Sequence, residues 1–149
     1  MTCRNFAEDS MIMTKQFLGF FMLLAFALIS CSGNSQSDYQ GGMLTLVDVE
    51  EASSLMLNEE LVLIDVRTPA EVSSGYIEGA LHWDFYEWKN FVANAKTLDK
   101  SKPVMVYCKA GGRSGKVANY LKEQGFERVY DIRGGMNAWL AQSKPVIKN

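Results

Sequence analysis

The sequence predicts an α/β domain with a mostly parallel central sheet that is flanked by helices. Short apolar runs alternate with segments that carry helix-start signals, and this alternation is typical of parallel sheets. Two of the runs, 61–67 and 104–107, are almost continuously apolar, as expected of strands covered on both faces. A chain of 149 residues has room for one domain of ordinary size.

The amino end is typical of a targeting segment. Lys15 precedes an apolar run over 17–29, which suits a signal peptide and is too short to span a bilayer. The run leads into the tetrapeptide 28–31, Leu-Ile-Ser-Cys, which resembles a bacterial lipobox. The resemblance implies cleavage before Cys31 and lipidation of Cys31, so that 1–30 is a lipoprotein-type signal peptide. A plain secretory signal cleaved nearby is the alternative.

A polar segment follows the predicted cleavage site. Residues 31–42 are rich in Ser, Gly, Asn and Gln and lack apolar periodicity, which predicts a flexible tether between the lipid and a domain over 43–149. The predicted location is the cell envelope, with the domain anchored to a membrane and facing the periplasm. Ser32 after the lipidated cysteine favours the outer membrane.

Charge and cysteine count restrict the partners. The net charge of −2 gives no basic footprint, so we expect no nucleic acid partner. Removal of Cys3 and lipidation of Cys31 leave Cys108 as the only free thiol of the mature chain, which excludes an internal disulfide framework. One thiol and the single histidine, His82, make no metal site, and dinucleotide or P-loop glycine patterns are absent from the sequence. We therefore expect no metal and no cofactor.

The domain opens with a strand over 43–47. Asp48 follows as a helix cap with Glu51 at the third helical position, which predicts a helix from Val49 toward Leu57. Leu55, Met56 and Leu57 are expected to include its buried end.

A second helix follows the 61–67 strand. Thr68 is its predicted cap, Glu71 occupies its third position, and Gly75 ends it. We expect Arg67 and Glu71 to form an ion pair at the start of this helix.

The next strand and helix carry an aromatic face. Residues 80–83 predict a short strand, and the Asp-x-x-Glu signal at 84–87 predicts that a helix starts there. Aromatic and apolar residues recur at helical spacing at Phe85, Trp88, Phe91 and Val92. Core packing explains this face better than a ligand site does. His82 lies in the strand and is expected to be an edge or core histidine rather than a general base.

The most informative stretch is 104–116. It predicts a strand over 104–107, a turn that starts at Cys108, and a helix that begins near Arg113 and ends at Gly125. The domain is completed by a strand over 126–132 and by a final helix that opens with segment 134–139, whose first two residues are glycines.

The turn surrounds Cys108 with features that stabilise an anion. A helix N-terminus follows, with free N–H groups, and Lys109 and Arg113 add two cations. Such surroundings lower the pKa of a thiol. We therefore predict that Cys108 is a nucleophile in a loop that holds an anion. The remaining loop residues are Ala110, Gly111, Gly112 and Ser114. A buried structural cysteine followed by a glycine turn is the alternative.

Three motifs in the right order resemble the rhodanese family. They are the pattern of 65–80, Asp-Val-Arg-x-x-x-Glu followed by Gly-Tyr-Ile-x-Gly-Ala, then the Cys-x4-Arg loop that starts at Cys108, and the Gly-Gly-x-x-Ala-Trp pattern of 134–139. Tyr76 stands where the family usually has His. The resemblance implies a single rhodanese-like domain with a mostly parallel sheet.

The resemblance also implies sulfur transfer. Cys108 would take a sulfane sulfur from an anionic donor such as thiosulfate, form a persulfide, and pass the sulfur to a thiol or cyanide acceptor. The backbone N–H groups of the loop would stabilise the persulfide, Arg113 would shape the loop, and Lys109 would steer the donor. Partners are then these small molecules, the membrane through the lipid anchor, and a candidate periplasmic redox protein. The chain is expected to be a monomer.

Other roles and functions stay open at this level. Asp65 and Arg67 lie at the end of a central strand and are candidate supporting residues, and Arg133 also follows a strand. Asp65 is expected to brace Arg113 or the loop, or else to cap the next helix. A phosphatase or arsenate reductase on the same scaffold is one alternative function, and a periplasmic binding module without turnover is another.

Overall fold

The structure is a computed structural model that describes residues 42–58 and 60–148. The predicted signal peptide, its lipidation site at Cys31 and tether residues 31–41 lie outside the described residues. None of the described helices combines the length and the apolar character needed to cross a membrane.

Strands and helices alternate along the domain as predicted. The strands are β1 (Met43–Val47), β2 (Val62–Asp65), β3 (Leu81–His82), β4 (Val104–Tyr107) and β5 (Arg128–Ile132). The helices are α1 (Val49–Leu55), α2 (Pro69–Val72), α3 (Trp88–Ala95), α4 (Gly112–Glu123) and α5 (Gly135–Ala141). The strands form one five-stranded sheet in the order β1-β5-β4-β2-β3, and every pair is parallel. The predicted α/β fold is confirmed.

Two apolar layers cover the sheet. One layer contains Val104 and Val106 of β4 with Val117 and Leu121 of α4. The other contains Met105 and Tyr107 on the opposite face of β4, packed with residues such as Trp139 of α5. All four residues of β4 are buried, as the continuous apolar run predicted.

The first two helices begin where their capping signals predicted. Asp48 accepts a hydrogen bond from the N–H of Glu51 at 2.9 Å. Thr68 and Glu71 form a reciprocal capping box at the start of α2. The buried end expected among Leu55, Met56 and Leu57 is confirmed for Leu55 and Met56, which pack against the core, and is wrong for Leu57, which is exposed.

The third helix begins later than predicted. Asp84 accepts a hydrogen bond from the N–H of Tyr86, only two residues on, at 2.9 Å. Asp84 therefore closes an Asx turn within the loop instead of capping a helix. As a result, α3 starts at Trp88 instead of at 84. Phe85 therefore packs from the loop, although it still contacts Trp88 edge to face.

Candidate active site

Cys108 lies directly after β4, where a central strand gives way to the loop that enters α4. Ligands of parallel sheets bind at this edge, beyond the carboxyl ends of the strands. The loop turns at Gly111, whose φ of +99° is left-handed and favours glycine. The turn brings the N–H of Gly111 to 3.1 Å from the Cys108 sulfur.

The sulfur is buried but surrounded by hydrogen-bond donors. The side chain of Cys108 is nearly inaccessible, and the hydroxyl of Ser114 lies 3.5 Å from the sulfur. Burial raises the pKa of the thiol, but hydrogen bonds from Ser114 and from the N–H groups of Ala110 and Gly111 outweigh it, so the pKa is lowered. The loop therefore favours a thiolate, which argues against the alternative of a buried structural cysteine.

The final helix holds the loop from behind. The N–H of Met136 donates to the carbonyl of Cys108 at 2.8 Å, and the N–H of Asn137 donates to the carbonyl of Lys109 at 3.0 Å. Gly135 makes this approach possible, because a Cβ at that position would clash with the Cys108 carbonyl. Gly134 and Gly135, both with positive φ, thus form a tight turn against the loop.

Arg113 is held by Glu71 of α2. The guanidinium Nη1 and Nη2 atoms each lie 2.7 Å from one carboxylate oxygen, which makes the salt bridge bidentate. Glu71 thus pairs with Arg113, and the predicted Arg67–Glu71 side-chain pair is wrong. The expectation that Asp65 braces Arg113 is wrong as well. Hydrogen bonds, with Arg113 first among them, lower the pKa of Glu71 to about 2.

Asp65 and Arg67 instead form a buried pair below the site. The guanidinium of Arg67 lies 2.6 Å from the carboxylate, and both side chains are almost fully buried. Arg67 also donates to the backbone carbonyls of Glu71 at 3.2 Å and Gly75 at 2.8 Å. The pair therefore fixes α2, the helix that carries Glu71 to Arg113. Asp65 and Arg67 support the site from a distance.

An open pocket of about 550 Å³ lies in front of the loop. Its lining includes Cys108, the cationic residues Lys109 and Lys116, and the aromatic residues Phe85 and Tyr86. The guanidinium of Arg113 lies over the Tyr86 ring, 5.9 Å from its centre. The pocket thus combines cationic and aromatic walls around the thiol.

Two other polar residues lie apart from the thiol. His82 is on the edge strand β3, with its Nε2 2.8 Å from the carbonyl of Arg67. Arg133 follows β5 and is exposed. Neither residue lines the pocket at Cys108. The expectation of an edge histidine at position 82 is confirmed.

The backbone of Tyr76, rather than its side chain, maintains the turn at this position. Its N–H donates to the carbonyl of Ile147 at 2.9 Å, and its carbonyl accepts from the N–H of Ile147 at 2.8 Å. A side-chain change at this position is therefore compatible with the turn.

Four residues around the site were not predicted from the sequence. Glu71 was expected to cap α2 and to pair with Arg67, although it pairs with Arg113. Tyr86 and Lys116 belong to segments whose spacing gave no sign that they meet at the loop. Asp131 belongs to a mainly apolar strand pattern, which gave no indication of a role near the site. Its position below α4 depends on the register between β4 and β5.

Together, the parallel sheet and the thiol in an N–H-lined loop define an α/β protein with a candidate cysteine site at the carboxyl edge of its sheet. The family model "Rhodanese-like domain" matches residues 48–142. The chain belongs to the rhodanese-like domain family.

Curated relatives and solved structures are similar to this chain. It is 33% identical over 106 residues to a protein of Allochromatium vinosum named "Sulfurtransferase", covering 70% of this chain and 96% of the relative. It is 35% identical over 102 residues to "Thiosulfate sulfurtransferase GlpE" of Glaesserella parasuis, covering 68% and 92%. A polysulfide-sulfur transferase homodimer of Wolinella succinogenes has a similar structure, with 26% identity, a TM-score of 0.62, and coverage of 92% of this chain and 93% of that chain.

Proposed function

We propose that this protein is a rhodanese-type sulfurtransferase that uses Cys108 as its nucleophile. The observation that carries the proposal is the Cys108 sulfur held by the loop N–H groups with a lowered pKa. The curated relatives named sulfurtransferases support the same reaction class.

The proposed reaction has two half-steps, and both balance in charge. In the first, the Cys108 thiolate attacks the outer sulfur of a donor such as thiosulfate. A bond forms between the two sulfurs, the S–S bond of thiosulfate breaks, and sulfite leaves with the electron pair. In the second, cyanide or a thiolate attacks the outer sulfur of the Cys108 persulfide and releases the Cys108 thiolate.

The loop would stabilise the anionic persulfide between these steps. Donors aimed at a developing charge in a dry site act as an oxyanion hole does. The N–H groups of Ala110, Gly111 and Ser114 donate to the sulfur, and the hydroxyl of Ser114 adds a further donor beside it. Because Glu71 neutralises the charge of Arg113, we propose that Arg113 maintains the shape of the loop. Lys109 and Lys116, which line the pocket, would attract the anionic donor.

Mass spectrometry tests the proposal. The reduced protein is exposed to thiosulfate or to polysulfide, which is included because the structural relative from Wolinella succinogenes is described as a polysulfide-sulfur transferase. We expect an adduct of about 32 Da, one sulfur atom, on the peptide that contains Cys108. Cyanide should remove it. Cys108→Ala should form no adduct and should lose turnover, and turnover above background in this variant would contradict the mechanism.

The same experiment separates the alternative functions. Hydrolysis of an aryl phosphate or reduction of arsenate without a sulfur adduct would indicate a phosphatase or arsenate reductase. Absence of both adduct and turnover with either donor would indicate a binding module.

We further propose that the protein is exported and lipid-anchored through Cys31, with its domain in the periplasm as a monomer. The apolar run over 17–29 and the lipobox-like tetrapeptide support this location. Cys31→Ala should release the processed chain from membranes or leave the signal uncleaved. Recovery of the variant in the membrane fraction with normal processing would contradict the anchor. Capture of Cys108 by a periplasmic thiol protein would identify the candidate redox partner, and sedimentation analysis tests the monomer.

A further inference from the structure

The carboxyl group of Asp131 stands out in the buried part of the domain. Asp131 lies near the end of β5, and the sheet register places it between Leu46 of β1 and Val106 of β4. Its side chain is only 5% exposed, and its Oδ1 has no hydrogen-bond partner among the described residues. A buried carboxyl oxygen without a partner is costly, so this group requires a physical reason.

Asp131 faces the first turn of α4, beside the thiol. A Cβ placed on Gly115 would lie 3.5 Å from the Asp131 Oδ2, so the carboxyl packs against the backbone there. Ser114, the residue before Gly115, is the side chain whose hydrogen bond opposes the effect of burial on Asp131. The Ser114 hydroxyl is also 3.5 Å from the Cys108 sulfur. Ser114 therefore contacts the thiol and directly precedes the residue whose backbone packs against the carboxyl.

The hydroxyl of Ser114 can connect the two acids. A hydroxyl donates one hydrogen and accepts through two lone pairs. It can donate to the Cys108 sulfur while it accepts from a protonated Asp131. In the opposite state it accepts from the Cys108 thiol and donates to an ionised Asp131. The carbonyl of Gly111, at 3.2 Å, is a third acceptor within reach of the same hydroxyl.

The charges around Asp131 favour a bound proton. Leu46 and Val106 flank it in the sheet, and the first turn of α4 presents Ser114 and Gly115. The cations nearest in sequence, Arg128 and Arg133, are exposed, and Arg113 of α4 is paired with Glu71. Burial raises the pKa of Asp131 to about 6, and the hydrogen bond of Ser114 opposes this.

We propose that Asp131 holds, through the hydroxyl of Ser114, the proton that Cys108 releases when it becomes a nucleophile. The S–H bond of Cys108 breaks as Ser114 takes its proton, and the Ser114 O–H proton passes to Asp131. A thiol and a carboxylate become a thiolate and a carboxylic acid, without oxidation or reduction. The pair carries one negative charge before and after the transfer, whereas loss of the thiol proton to solvent beside an ionised Asp131 would leave two. Asp131 is a positioning residue, because it acts on the sulfur through Ser114.

The inference deepens the proposed function and rests on it only in treating Cys108 as the nucleophile. It is tested without any sulfur donor, so its failure is distinguishable from a failure of sulfur transfer. The full-length protein is titrated while iodoacetamide alkylation of the Cys108 peptide is followed by mass spectrometry. Peptide-level detection excludes signals from Cys3 and Cys31.

The titration of the Cys108 thiol should reveal the shared proton. In the wild-type protein we expect two steps, because coupled acids share macroscopic pKa values. In Asp131→Asn we expect a single step with a midpoint lower by about one pH unit, because the neutral amide no longer opposes the thiolate. Ser114→Ala should reduce the additional effect of Asp131→Asn. The matched control is Glu127→Gln, which removes an exposed charge at the distant start of β5 and should leave the curve unchanged.

A second measurement keeps the test decisive if Asp131→Asn fails to fold. The side-chain carboxyl of Asp131 is titrated by 13C NMR in the wild-type protein before and after alkylation of Cys108. The neutral thioether should move the titration of Asp131 to lower pH and into a single step. A carboxyl titration that alkylation leaves unmoved, or a folded Asp131→Asn whose thiol curve matches that of the wild type, overturns the proposal.

Discussion

Arg113 and Glu71 form a two-pronged salt bridge with both N···O distances at 2.7 Å, and this bridge ties the thiol loop to α2. The partner matters for the chemistry, because a neutralised guanidinium attracts a donor anion less than a free one. The same carboxylate also accepts from the Thr68 N–H at 2.9 Å. Glu71 therefore joins the start of α2 to the loop.

Replacement of Glu71 by Gln should loosen the loop. The variant keeps hydrogen-bonding atoms but loses the charge, so we expect kcat/KM for sulfur transfer to fall by about tenfold or more. Exposed Glu78→Gln is the control and should leave kcat/KM unchanged. Equal activity in both variants would contradict the role of Glu71.

The same variant has a defined pH dependence of stability. The pKa of Glu71 is lowered to about 2 in the folded state, so its contribution is present above the usual carboxyl pKa and is lost as the pH falls toward 2. The side chains of this pair are partly exposed, so we expect Glu71→Gln to lower the free energy of unfolding by about 1 kcal/mol at pH 7. Urea unfolding at pH 7 and near pH 3 should show that the difference shrinks in acid.

Removal of one partner of the buried Asp65–Arg67 pair should destabilise the domain strongly. Arg67→Met leaves Asp65 buried without its counter-charge, which costs about 3–5 kcal/mol. The double variant Asp65→Asn/Arg67→Met removes the uncompensated charge and should recover part of the loss. Urea unfolding measures both. A double variant less stable than Arg67→Met alone would contradict the uncompensated charge as the cause.

The close approach of α5 to the loop predicts the effect of a single methyl group. A Cβ at Gly135 would clash with the Cys108 carbonyl, and the φ of +54° disfavours other residues, so Gly135→Ala should cost at least about 1–3 kcal/mol and impair sulfur transfer. Gly112→Ala is the stability control, because no heavy atom lies within 4 Å of the added carbon there. Similar unfolding midpoints for the two variants would contradict the packing argument.

Lys109 should act on the donor before the chemical step. It lines the pocket, and attraction of an anion by an exposed lysine affects encounter and binding. We expect Lys109→Gln to raise the KM for thiosulfate by about three- to tenfold, with kcat nearly unchanged and a weaker dependence on salt. Lys122→Gln, in the last turn of α4, is the control. A fall in kcat with an unchanged KM would contradict steering.

The sequence predicted the parts of the molecule that depend on local rules. Capping residues such as Asp48 and Thr68 act within four residues, and the apolar run of β4 reports burial directly. The thiol loop was predictable for the same reason, since Cys108 and its donors are close in the chain. Pairing across the fold was not predictable, because Glu71 meets Arg113 over 42 residues. Asp84 shows the limit of local signals, since the same cap can close a loop.

The last prediction concerns the stability cost of Asp131. Its folded-state pKa is raised to about 6 from an ordinary value near 3.8, so the folded state binds the proton more tightly than the unfolded chain. Stability associated with this group is fully present below about pH 4 and is lost as the pH rises through 6. The Asp131→Asn variant has no ionisable group at this position, so its stability should not fall in this way as the pH rises.

We therefore expect Asp131→Asn to be about 1–3 kcal/mol more stable than the wild type at pH 8 and similar to it at pH 4. Urea unfolding at the two pH values, with Glu127→Gln as the control, measures the difference. A variant that is equally destabilised at both pH values would show that Asp131 serves packing alone. A gain in stability at pH 8 together with an altered Cys108 titration would mean that the domain keeps a destabilising carboxyl because the thiol uses it.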